Sequence, residues 1–133
     1  MAYTTINDPS QYFQTTLFTG NGGNQSITNS GNSNLQPDLI YIRSRSSNNS
    51  GAWTDSSRGT NKWLETPGNA AEQTFASNNL NFLSDGFSVD YTGGYNNLNK
   101  NSDNYVAWQW KANGGTTTNQ TGADINSVTQ AND

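Results

Sequence analysis

A period of two in the stretch Ser84–Ala112, SDGFSVDYTGGYNNLNKNSDNYVAWQWKA, constrains this chain more than any other feature. Phe87, Val89 and Tyr91 alternate with Ser88 and Asp90; after a polar loop, Val106, Trp108 and Trp110 alternate with Tyr105, Ala107, Gln109 and Lys111. Successive side chains of a strand point to opposite faces, so both segments read as strands of a sheet with at least one buried side. A buried aromatic removes about 150–250 Å² from water. The expectation is a strand pair at the centre of the core, joined by the polar loop, with Trp108 and Trp110 inside.

The rest of the chain is punctuated in the same way. Tyr12–Phe18, Gln25–Thr28, Leu39–Arg45, Ala52–Asp55 and Lys62–Glu65 read as strands, separated by polar loops such as TGNGGNQS, SSNNSG and SSRG. In Leu39–Arg45 both faces are partly apolar, which suits a central strand. Asn69–Thr74 is the only stretch with reasonable helix propensity and is too short to stand alone. The expected organisation is a polar arm over 1–11, a β domain over 12–112, and a linker or the start of a following element over 113–133.

Composition narrows the class. The 133 residues suit one domain. Only 12% are charged and 30% hydrophobic, yet 11% are aromatic and the net charge is −4. Disorder goes with few aromatics and high net charge, so a loop-rich all-β domain is the better reading. There is no cysteine to form a disulfide and no histidine to serve as the usual base or metal ligand. The acidic balance argues against nucleic acid as a partner. No apolar run reaches transmembrane length, and MAYTTINDPSQYF lacks the features of a signal peptide, so a soluble protein is expected.

Five segments in order resemble a known family: MAYTTINDPSQYFQTTLFTGNG, LQPDLIYIRSR, TDSSRGTNKWL, SDGFSV and NYVAWQWKA. Together they are similar to an N-terminal module of tail-fibre-like proteins from marine bacteriophages, over Met1 to about Ala112. The resemblance implies an antiparallel β-sandwich of lectin-like type (jelly-roll or concanavalin A-like). It brings neither a reaction nor a ligand site. Two positions depart from the family's habit, Tyr41 in place of Trp and Gln109 in place of Cys. A polar Gln109 suggests a less buried face.

Candidate site residues divide into aromatics and basic groups. Trp53, Trp63, Tyr91 and Tyr95 could stack on sugar rings if exposed. Arg43 and Arg45, on one face of their strand, with Arg58 and Lys62 after a turn, could form a positive patch for an acidic surface or anionic sugar. The bland alternatives are core packing and local ion pairs, Arg58 with Asp55 among them. Asp38, Asp55, Glu65, Glu72, Asp85 and Asp90 form no catalytic pair motif, and Asp38 and Asp85 sit at ordinary turn positions. Asn96–Asp103 lacks the spacing of a calcium loop and reads as a solvated hairpin loop.

These readings lead to an expectation of a non-enzymatic virion structural module of fibre or adhesin type, without cofactor or metal. It would dock on other virion proteins through Met1–Gln11, form a dimer or trimer, and present or contact a host-surface glycan. The alternatives are a capsid decoration protein or a lectin-like glycan-binding module. An exposed aromatic groove lined by Asn and Asp would distinguish the lectin-like module.

Overall fold

The computed structural model describes residues 6–75, 80–90, 98–112, 116–118 and 128–130. A short 3₁₀ helix, Pro9–Gln11, leads into β1 (Phe13–Thr19), β2 (Gln25–Ile27), β3 (Leu39–Ser44), β4 (Gly51–Asp55) and β5 (Lys62–Thr66). Then follow β6 (Gln73–Thr74), β7 (Leu80–Phe82), β8 (Phe87–Val89), β9 (Asn104–Trp110), β10 (Thr116–Thr118) and β11 (Val128–Gln130). A six-stranded sheet runs β1-β9-β3-β4-β5-β6 and a three-stranded sheet runs β2-β8-β7; β10 and β11 pair with each other. All pairings are antiparallel. The two larger sheets pack face to face, and the fold is an all-β sandwich, as expected from the sequence.

Alternation builds the core from one face of each sheet. The six-stranded sheet contributes Ile40, Ile42, Ala52, Trp63, Tyr105 and Ala107; the smaller sheet contributes Ile27, Leu80, Phe87 and Val89, with Phe18 and Phe82 packed at the margin. Small side chains make this possible. Ala107 lies beside Ile42, which lies beside Ala52, leaving a low row that the smaller sheet's Phe87 helps to cover. Gly86 sets the smaller sheet's turn. Its φ is +91°, and a Cβ there would collide with the Ile27 carbonyl.

Three expectations are corrected. The strands of Ser84–Ala112 are not a pair: β8 bonds to β2 and β7, whereas β9 lies between β1 and β3. Trp108 and Trp110 are half-buried on the outer face of the large sheet, because the smaller sheet covers the Tyr105–Ala107–Gln109 face instead. Gln109 is 0% exposed, so the face carrying it is fully buried. Its Nε2 donates to Asn29 Oδ1 at 2.6 Å and Thr16 Oγ1 at 3.1 Å, which offsets the cost of burying the amide. In Asn69–Thr74, Gln73 and Thr74 are extended and pair with β5.

The open end of the sandwich is closed by polar contacts. Asp8 accepts from the Ser10 amide and hydroxyl and from the Ser33 hydroxyl. Gln14 Nε2 donates to the Ser10 and Ser33 carbonyls, and its Oε1 accepts from the Gly31 N–H. Residues Asp8–Gln11 of the expected arm are thus tied to the domain.

Candidate functional site

The outer face of the six-stranded sheet is a grid set by strand register. One row runs Phe13, Trp110, Leu39, Asp55; the next Thr15, Trp108, Tyr41, Trp53, Leu64; the third Leu17, Val106, Arg43. Most of these side chains are apolar, although this face points away from the core. Leu17 is 62% exposed and Phe13 41%.

Aromatic rings fill the middle of the grid and stack on one another. Trp108 lies on Tyr41 (5.5 Å between centroids, 15° between planes), Tyr41 on Trp53 (4.5 Å, 21°), and Trp53 on Trp110 (5.8 Å, 23°). Phe13 closes the end, tilted at 46° and 5.2 Å from Trp110. Trp110 reaches across the intervening β3 to meet Trp53 on β4. Thr66 donates its hydroxyl to the Tyr41 oxygen at 3.1 Å, which fixes the phenol. Tyr41 lies between Trp53 and Trp108, whereas both rings that meet Trp53 come from its β3 side. The outer face of the smaller sheet, with Ser26, Ser88 and Asn81 in one row, is polar.

Residues 8–133 match a family described as a domain of unknown function, DUF7483. The chain belongs to this family. No curated protein and no solved structure matches it.

In this DUF7483 domain, two depressions flank the band. A groove of about 460 Å³ lies beside Trp53, lined by Leu39, Leu64, Arg58, Glu65 and Thr66 among others. A polar cleft of about 530 Å³ is lined by Gln11, Ser33, Asn34, Gln36, Asp38 and Lys111 among others. The groove has an aromatic wall without Asn or Asp; the cleft has the amides and Asp38 without an aromatic. The combination named above for a lectin-like site is split between them.

The candidate residues of the sequence are dispersed. Trp53 sits in the ring stack. Trp63, 4% exposed, is core and stacks on Phe75 at 5.5 Å. Tyr91 and Tyr95 lie outside the described residues. Arg43 is half-buried on the outer face, and Arg45 lies just past the end of β3, with its side chain exposed. Arg58 follows Asp55, at the opposite end of β4 from the Arg43 row, so these arginines form no single patch. Its Nε meets Asp55 Oδ2 at 2.8 Å, and its N–H donates to Asp55 Oδ1 at 2.9 Å. Lys62 meets Glu72 at 3.5 Å.

Several acidic and amide groups hold the backbone together. Asp38 Oδ2 accepts from the Ala112 N–H and Asp85 Oδ1 from the Leu35 N–H. Among the described residues of the Asn96–Asp103 stretch, expected as a solvated hairpin loop, Asn99 is instead buried and donates to Asn21 Oδ1 and the Gly23 carbonyl, whereas Asp103 accepts from Ser47. Among the described residues, no cluster of three or more Asp, Glu, His or Cys is placed to hold a metal ion. What the sequence reading missed is Trp108, Trp110, Tyr41, Phe13 and Leu17 as one outward band. Same-face spacing was visible within each strand, but the order of β1, β9, β3 and β4 across the sheet was not.

Proposed function

We propose that this domain is a non-enzymatic structural module of a bacteriophage virion, of the fibre or adhesin type, which works by surface contact through the aromatic face of its six-stranded sheet. The observation that carries the reading is the band itself. A sandwich buries one face of each sheet and ordinarily leaves the other polar, as the smaller sheet does here. A contiguous apolar patch on an outer face marks a contact site. The sequence similarity to tail-fibre-like modules supports the viral setting, and the protein partners are then other virion components.

The lectin-like alternative has one observation in its favour, the groove beside Trp53 with Arg58, Glu65 and Thr66 at its walls. It ranks second because the lining of that groove lacks the Asn and Asp expected beside an aromatic wall. Imaging of intact particles with this chain traced in them, followed by glycan-array screening of the purified domain, tests the choice. A chain found in an appendage with the aromatic face covered supports the structural reading. A free chain that binds a glycan competitively with Trp53 substitution overturns it in favour of the lectin-like one.

A further inference from the structure

We infer that the aromatic face packs against the same face of a second copy of this chain, forming a two-fold dimer of sandwiches. The inference rests on the reading of that face as a contact surface and names its occupant.

Size is the first argument. Five adjacent strands at a spacing of about 4.8 Å, with three same-face positions each about 6.8 Å apart, span roughly 24 by 20 Å, on the order of 480 Å² of flat area. Side-chain relief enlarges this toward the lower end of the roughly 600–1,000 Å² per partner that a specific interface buries. Shape is the second. The stacked rings, at interplanar angles of 15°, 21° and 23°, make one continuous apolar surface, and two sheets pack well at about 10 Å separation when such surfaces meet. A two-fold interface needs one patch complementary to itself, and a continuous apolar band meets that condition.

Charge selects the axis. Arg43 lies at one end of the outer face, and Asp55 at the other is already paired with Arg58. A two-fold along the strands would set Arg43 against its own copy. A two-fold across the strands separates the two Arg43 side chains, which is the favourable arrangement. Among the described residues the opposite side of the sandwich presents the polar Ser26–Ser88–Asn81 row, and a two-fold contact uses the same patch on both copies, so association closes at two copies instead of running on as a filament.

The test is sedimentation of the purified full chain over a range of concentrations. Wild type should dimerise. Leu17→Glu alters a side chain that is 62% exposed, so the fold should survive, while a charge placed in the apolar interface should weaken the dimer by at least about tenfold. Ser26→Glu, on the far side, should leave it unchanged. A chain that stays monomeric at every concentration overturns the inference, and so does a dimer disrupted by Ser26→Glu but not by Leu17→Glu. The two proposals fail separately. A monomer that still attaches to particles through this face removes the dimer alone, and a dimer absent from particles supports the dimer and removes the virion role.

Discussion

The Tyr41 ring occupies the space above Gly51: a Cβ added at Gly51 would lie 2.5 Å from Tyr41 Cε2 and 2.6 Å from Cζ. The missing side chain leaves room for the phenol beside Gly51 of β4, where Thr66 bonds its oxygen and Trp53 and Trp108 stack on it. Gly51→Ala therefore forces the ring out of the middle of the stack. The expected cost is about 1–3 kcal/mol of stability, as for other overpacked sites. Urea denaturation measures the loss, and near-ultraviolet circular dichroism should show the altered aromatic coupling.

Gln109 is held through its NH₂ group alone, and its Oε1 finds no partner among the described residues. Gln109→Met keeps the volume and removes that unpaired oxygen, while Thr16 still donates to Asn29 Oδ1 at 2.9 Å. Its stability should fall within about 1 kcal/mol of wild type. Gln109→Glu places a carboxylate against the Asn29 acceptor at a fully buried position and should cost about 3 kcal/mol or more. Denaturant midpoints of the two variants check the contrast.

Asp55 and Arg58 do not contribute equally. Removing the part-exposed guanidinium in Arg58→Ala should change stability by about 0–1 kcal/mol. Asp55→Ala also removes the acceptor for the Arg58 N–H and should cost about 1–2 kcal/mol, in the range of a lost cap. Comparable losses for both variants would contradict this assignment.

The Ser10 hydroxyl first, then the Ser33 hydroxyl and the Ser10 N–H, hold the Asp8 carboxyl below its usual value. A carboxyl with a depressed folded-state pKa contributes stability in full above its ordinary value near about 3.9 and loses it as pH falls through the lower folded value. The contacts from Asp8 to Ser10 and Ser33 should therefore release only below that ordinary value. Amide shifts of Ser10 and Ser33 followed by NMR should titrate with a midpoint under about 3.9, and Asp8→Asn should remove the transition. A midpoint at or above the ordinary value would contradict the bonding pattern.

Strand positions were legible because period-two alternation and polar turns mark them: Leu39–Arg45 became Leu39–Ser44, and Lys62–Glu65 became Lys62–Thr66. Which face turns inward was not legible. Alternation in β9 separates Val106, Trp108 and Trp110 from Tyr105, Ala107 and Gln109, and transfer free energy alone places the tryptophans inside. The second sheet decides otherwise, because Ala107 and Ala52 leave room for it and two tryptophans would not. Nor does local sequence say that β8 and β9 belong to different sheets, since a long connection permits either pairing. Trp63 shows the converse. Its surroundings are polar in sequence, yet its register places it opposite the smaller sheet, against Phe75.

The most direct test of the aromatic face as a working contact surface is hydroxyl-radical footprinting of the dilute chain and of the same chain in its assembled particle. Phe13, Leu17, Trp108 and Trp110 should be labelled in the dilute chain and protected on assembly, with the tip of the Ser46–Ser50 loop labelled in both. Equal labelling of the four residues in both states would mean that the face stays bare in the particle, and the contact role would fall.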